Sequence, residues 1–238
     1  MRSTHGLSRG QRNLSPRSRP MQASIQRTTG ALYLGVIALG LTAEFAIRMP
    51  LIAWNDPAET WEAIAANTGL YRAGLLADSA MIVLDVALAV LFFTLLRRVQ
   101  PELALTAMVL RLMQAAVIGA SLLASVAALS LVSTGPEAPE ALMVLLTTHS
   151  IGYDVGLIFF GANTLITAWL LARAALVPRW LPPLLALTGL TYLAGSLTRL
   201  AAPELNALMQ PAYGVTILAE LSLALVFLLR PQRSAATA

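Results

Sequence analysis

The sequence predicts an all-α membrane protein: a bundle of six transmembrane helices with both termini on the cytoplasmic side and a short interfacial helix in the first outer loop. Three observations predict it. Of 238 residues, 57% are hydrophobic and only 12% charged, with a mean hydropathy of +0.71; an ordinary soluble domain carries roughly 25% charged residues. Apolar runs of about 20 residues, enough to cross a hydrocarbon core of about 30 Å, recur along the chain between clusters of proline and arginine. The loops that join these runs alternate in charge.

Residues 1–27 hold six arginines, several serines, two prolines and no acid. Such a segment cannot bury a core and is expected to be disordered. An acid-free start rich in Arg and Ser also fits an organellar transit peptide, but a basic cytoplasmic tail is the preferred reading. A secretory signal peptide is disfavoured, because the apolar run from Ala31 outlasts a signal h-region and no small-residue cleavage site follows it.

The membrane domain, residues 28–230, is read as spans at about 30–49, 72–96, 103–132, 150–173, 181–201 and 212–230, with a short cytoplasmic tail at 231–238. Arg97, Arg98 and Pro101 separate spans two and three; Pro136 and Pro139 follow span three; Pro178 to Pro183 surround the start of span five, and Pro203 ends it. In the first outer loop, Asp56-Pro57-Ala58-Glu59 reads as an N-cap, a proline at the first helical position and a capping-box glutamate, with Gly69 as the stop. Trp61, Ile64, Ala65 and Thr68 share one face of that helix, which suits the outer interface. The stretch from Pro139 to Arg173 exceeds one span, so residues 139–149 are read as an extracellular extension or a partly re-entrant piece.

The tail, the Arg97–Arg98 turn, the Arg173–Arg179 turn and the Arg230–Arg233 end are basic, whereas the remaining loops carry Asp56, Glu59, Glu62, Glu137, Glu140 and Glu204. All basic connections therefore fall on one side, and the positive-inside rule makes that side cytoplasmic. Trp54 and Trp61 at one boundary and Trp169 and Trp180 at the other agree with an aromatic belt.

Composition also excludes chemistry. The chain has no cysteine, hence no disulfide or thiolate, and its sixteen basic residues are all arginine, so no lysine Schiff base can form. Arginines that flank apolar segments are a topology signal, and no nucleic-acid partner is expected.

Ionisable side chains inside apolar spans cost about 2.5–3.5 kcal/mol each on insertion scales and normally face the bundle interior. Helical rise sorts them into two tiers. Asp85, Arg111, Gln114, Tyr192 and Glu220 lie near mid-membrane; Glu44, Arg48, Asp78, Asp154 and Arg199 lie toward the outer face, with His149 above them. Asp78 and Asp85, seven residues apart, share a face. Glu44 and Arg48, four apart, can pair. A short turn makes spans two and three antiparallel neighbours, which brings Asp85 and Arg111 to similar depth as a buried salt bridge. The middle tier then has two carboxylates against one arginine, so one carboxyl carries a proton or a cation or ligand completes the site. Such a bridge can also serve only to fix helix register.

Other features carry less. Gly152-x-x-x-Gly156 and the stripe Ala116, Ala120, Ala124 and Ala128 suit close helix packing. His149 alone outside the tail cannot ligate a b-type haem, and no His-Glu-x-x-His exists for zinc. No catalytic, cofactor or metal residue is assigned.

The stretch LYRAGLLADSAMIVLDVALAVLFFTLLRRV with LALTAMVLRLMQAA, then HSIGYDVGLIFFG and VPRWLPPLLALTGLTYLAG, resembles a family of bacterial multi-pass membrane proteins known as domain of unknown function 4386. Tyr71-Arg72-x-Gly74, Asp78, Asp85 and Arg111 are its most distinctive pieces, over roughly residues 28–230. The resemblance implies a six-span protein of the bacterial cytoplasmic (inner) membrane and no particular activity. The long basic tail departs from the family's short start. The polar column motivates a transporter or binding protein for a small ligand or protons, with the lipid bilayer as the other partner. The alternatives are an enzyme acting on a lipid-like substrate through Asp78, Asp154 and His149, and a structural subunit that binds a partner.

Overall fold

The computed structural model describes residues 18–231, and among them the regular structure is entirely helical. Helix α1 (Ser18–Leu41) continues through a π-helical segment (Thr42–Arg48) and a final turn (Met49–Leu51). It is followed by α2 (Pro57–Ala66), α3 (Thr68–Leu96), α4 (Pro101–Thr134), α5 (Pro139–Ala174) and α6 (Leu181–Ala201). A short helical turn (Pro203–Asn206) and a 3-10 segment (Ala207–Ala212) lead into α7 (Tyr213–Leu229). Five helices, all but α2 and α7, are long and apolar enough to cross a membrane; α7 is apolar but only 17 residues long. The chain is a multi-pass membrane protein. Leu76, Val83, Leu123, Val144 and Leu218 are each more than 60% exposed on these helices, a pattern that suits hydrocarbon outside and is costly in water.

Six helices close into a ring. Each of α1, α3, α4, α5, α6 and α7 packs on the next, and α7 returns to α1. Small residues set the closest crossings. A Cβ on Gly152 would stand 2.6 Å from the Ser121 side chain, and one on Gly156 2.6 Å from Ile118, so this pair seats α5 on α4. At the α5–α6 crossing Gly161 and Gly189 face each other, and a Cβ on either would stand 2.8 Å from the other's carbonyl. The alanine stripe does not do the same: Ala116 and Ala120 are exposed, and only Ala128 is buried. The packed face of α4 instead runs through Ala107, Arg111, Gln114, Ile118, Ser121 and Ser125.

Two apolar cores lie toward the ends of the ring. One gathers Leu95, Leu96, Ala104, Leu176, Leu181 and Phe227, next to the arginine-rich connections. The other joins Ile47, Leu51, Ile64, Tyr71, Leu142 and Leu146 at the acidic end. The ionisable groups occupy the length between them.

Three boundaries differ from the sequence reading. Residues 18–27 are helical, not a disordered tail, because Gln26 and Thr29 are fully buried on the same face as Tyr33; residues 1–17 and 232–238 lie outside the described residues. Residues 139–149 are not re-entrant: α5 is one unbroken helix of 36 residues, about 54 Å long. Its first turns cover α2, where Leu142 and Leu146 meet Ile64. Helix α2 has the expected cap, with Asp56 accepting from the Glu59 N–H at 2.9 Å. It stops at Asn67 rather than Gly69, which lies inside α3. Its buried positions are Thr60 and Ile64, whereas Ala65 of the expected face is exposed.

Candidate functional site

A ring of six helices has a hollow centre unless side chains fill it, and here they do not. A cavity of about 550 Å³ lies inside, lined from every helix of the ring. On α4 the lining runs from Arg111 to Ser125 and on α5 from Leu146 to Phe160. Each stretch is 14 residues of rise, so the cavity extends about 21 Å along the bundle.

At its deeper end Asp85 of α3 and Arg111 of α4 are 3% exposed, and two guanidinium nitrogens reach Asp85 Oδ1 at 2.9 and 2.5 Å. A charge-assisted contact of this kind is about twice as strong as a neutral hydrogen bond. The Arg111 guanidinium also lies 5.3 Å from the Tyr33 ring, 5.5 Å from Phe92 and 5.1 Å from Phe160. These rings hold the cation by their faces. Across the cavity, Tyr192 of α6 donates its hydroxyl to Glu220 of α7 at 3.0 Å. Gln114, one turn beyond Arg111, presents a buried Oε1 without a hydrogen-bond partner among the described residues; Asp85 Oδ2 is in the same condition.

The outer tier is paired differently from the simple i, i+4 expectation. Arg48 does meet Glu44 within α1, at 2.8 Å, but it also reaches Asp78 of α3 at 2.5 Å. Both Glu44 and Arg48 sit on the π-helical segment, where the ladder is widened, a local feature often found at functional sites. Asp154 of α5 pairs with Arg199 of α6 at 2.9 Å, and Arg199 also donates to Ser150 at 2.7 Å. His149 Nδ1 is 3.2 Å from the Ser121 hydroxyl. Asp78 is fully buried and touches the site only through Arg48; every other expected site residue lines the cavity.

Tyr33, Tyr213, Asn206 and Thr216, which the sequence does not mark, also line it, as do Tyr153 and Ser150, which lack the motif partners of a protease or a serine–histidine dyad. Nothing in an apolar run marks a tyrosine as inward-facing, although Tyr33 falls on the Gln26–Thr29 face at helical spacing. Among the described residues no three His, Asp or Glu side chains converge as a metal site.

A family model described as Domain of unknown function (DUF4386) matches residues 28–230. No curated protein and no solved structure matches the chain.

Proposed function

The chain belongs to the DUF4386 family, whose description carries no activity, and from its central cavity we propose that it binds a small ligand or protons within the membrane and passes them along the bundle. In this reading all six long helices span the bilayer of a bacterial cytoplasmic membrane, α7 included, with both termini inside. Seventeen residues give α7 a length of about 26 Å, near the lower limit for a span. The basic connections at one end and the acidic ones at the other support this orientation. Arg173 stacked on Trp169 at 4.5 Å suits the inner headgroup level.

One observation carries the functional reading. Among the described residues the cavity brings Glu44, Asp85, Asp154 and Glu220 together with Arg48, Arg111 and Arg199 at the hollow centre of the ring, with Asp78 buried behind Arg48. Ion pairs that only fix helix register need no open space beside them. Here they surround open space, and carboxyl groups outnumber guanidinium groups.

The test is proton flux in vesicles of phosphatidylethanolamine and phosphatidylglycerol carrying an internal pH-sensitive dye. An imposed pH gradient should decay faster with the protein than without it. Asp85→Asn and Glu220→Gln should abolish the difference while both variants remain folded. Flux identical to wild type in both, together with no small solute bound, would overturn the proposal.

A further inference from the structure

The pairing pattern inside the cavity points to a ligand class. Resting on the proposal that the cavity takes a small solute, we infer that this solute is a small organic ammonium ion, with its nitrogen at Glu220 and its apolar body among the tyrosine rings.

Among the described residues, the three arginines that line the cavity all have carboxylate partners. Arg48 holds Glu44 and Asp78, Arg111 holds Asp85, and Arg199 holds Asp154. Each therefore already faces a carboxylate, and none stands as an unpaired cation for an incoming carboxylate or phosphate, the role for which arginine is otherwise suited. What remains is acceptor capacity. Glu220 is 8% exposed, and among the described residues no arginine pairs with it; its partner is the Tyr192 hydroxyl. Gln114 Oε1 and Asp85 Oδ2 are buried without hydrogen-bond partners among the described residues. A buried carboxylate, an amide oxygen and a spare carboxylate oxygen call for a donor that also carries positive charge.

The surrounding rings favour an organic cation over a bare one. Phe160, Tyr33 and Phe92 are covered by the Arg111 guanidinium. Tyr192, however, lies tilted between Phe160 and Tyr213, with centroids 5.1 and 5.9 Å away, and Tyr192, Tyr213 and Tyr153 all line the cavity. Ammonium groups bind over such faces, most strongly when desolvated. Ile37, Leu157 and Ile217 supply apolar wall for the rest of the molecule. A metal ion would want three or more converging oxygen or nitrogen ligands, and among the described residues no such acidic group exists. The volume of about 550 Å³ lies well inside the range of small-molecule pockets, roughly 300–1,000 Å³.

The experiment uses the full chain in lipid nanodiscs, with calorimetric titration and thermal unfolding. Phenethylammonium and tetraethylammonium are the cationic probes; phenylacetate, 2-phenylethanol and sodium chloride are matched for shape or ionic strength. The ammonium probes should bind and raise the unfolding temperature, and the three controls should not. Glu220→Gln, which keeps an acceptor for Tyr192, should weaken ammonium binding at least about tenfold. Gln114→Glu should preserve or strengthen it. Phenylacetate binding as well as phenethylammonium would overturn the inference while leaving the small-solute reading intact. So would proton flux that depends on Glu220 when no organic probe binds. Absence of probe binding together with flux indifferent to Asp85→Asn and Glu220→Gln would remove both.

Discussion

Arg111 reaches Asp85 Oδ1 through two nitrogens, at 2.9 and 2.5 Å, from inside a cage of three aromatic rings. Removing one partner of such a buried pair leaves an uncompensated charge, a loss of about 3–5 kcal/mol. Asp85→Ala and Arg111→Gln should each destabilise the protein on that scale, and Asp85→Asn, which keeps an acceptor oxygen, by less. The double variant Asp85→Ala with Arg111→Gln should recover much of the loss. Thermal unfolding in detergent checks the cycle; strict additivity of the two single losses would show that the pair is not coupled.

Arg48 separates a surface pair from a buried one within a single side chain. Its Glu44 partner is 52% exposed, whereas its Asp78 partner is 1% exposed. Glu44→Gln should cost less than about 1 kcal/mol, since solvent screens an exposed pair. Arg48→Gln strands the Asp78 carboxylate and should cost several kcal/mol. Equal losses in the two variants, measured by the same unfolding assay, would contradict this division.

How far the sequence discloses such relationships depends on what kind of signal each rests on. Asp85–Arg111 was legible because a short turn forces α3 and α4 into antiparallel contact, and helical rise then fixes depth. Arg48–Asp78 and Asp154–Arg199 were not, although their members were assigned to one tier. Pairing them requires knowing that α1 packs on α3 and α5 on α6 around a ring, and loop length alone does not decide that among six helices. The π-helical widening at Thr42–Arg48 has no residue signature at all. The helical start at Ser18 was hidden by composition: an Arg- and Ser-rich segment reads as tail even though Gln26, Thr29 and Tyr33 repeat at helical spacing.

The α4–α5 and α5–α6 crossings should tolerate no added carbon. Gly156→Leu and Gly161→Leu would drive side chains into Ile118 and into the Gly189 carbonyl, and overpacking of this kind costs about 1–3 kcal/mol. Gly69, in the first turn of α3, has nothing within 4 Å of the position a Cβ would take. Gly69→Ala should therefore stabilise by about 0.5–1 kcal/mol through helix propensity. Unfolding midpoints for the three variants give the comparison, and Gly69→Ala is the internal control.

Helix α5 ends on Ala175, which holds a left-handed backbone with φ of 51°. This geometry costs an L-residue about 1–2 kcal/mol and costs glycine almost nothing. Ala175→Gly should raise stability by about 1 kcal/mol, less the extra chain entropy glycine brings to the unfolded state. A fall in the unfolding midpoint would mean that the turn between α5 and α6 does not hold this conformation in solution.

Because the chain has no cysteine, single introduced thiols report topology without background. Asn67, Thr134 and Leu205 are exposed at one end of the bundle, and Ala175 is exposed at the other, with Gln100 half-buried beside it. With both termini cytoplasmic and α7 crossing, Asn67→Cys, Thr134→Cys and Leu205→Cys should react with a membrane-impermeant maleimide in spheroplasts with the inner membrane intact. Gln100→Cys and Ala175→Cys should react only after lysis. If Leu205→Cys labels only after lysis while Thr134→Cys labels before, the alternation breaks between α4 and α7, and the six-span orientation with it. The outward end of the cavity, between Trp54 and Arg199, would then need reassignment as well.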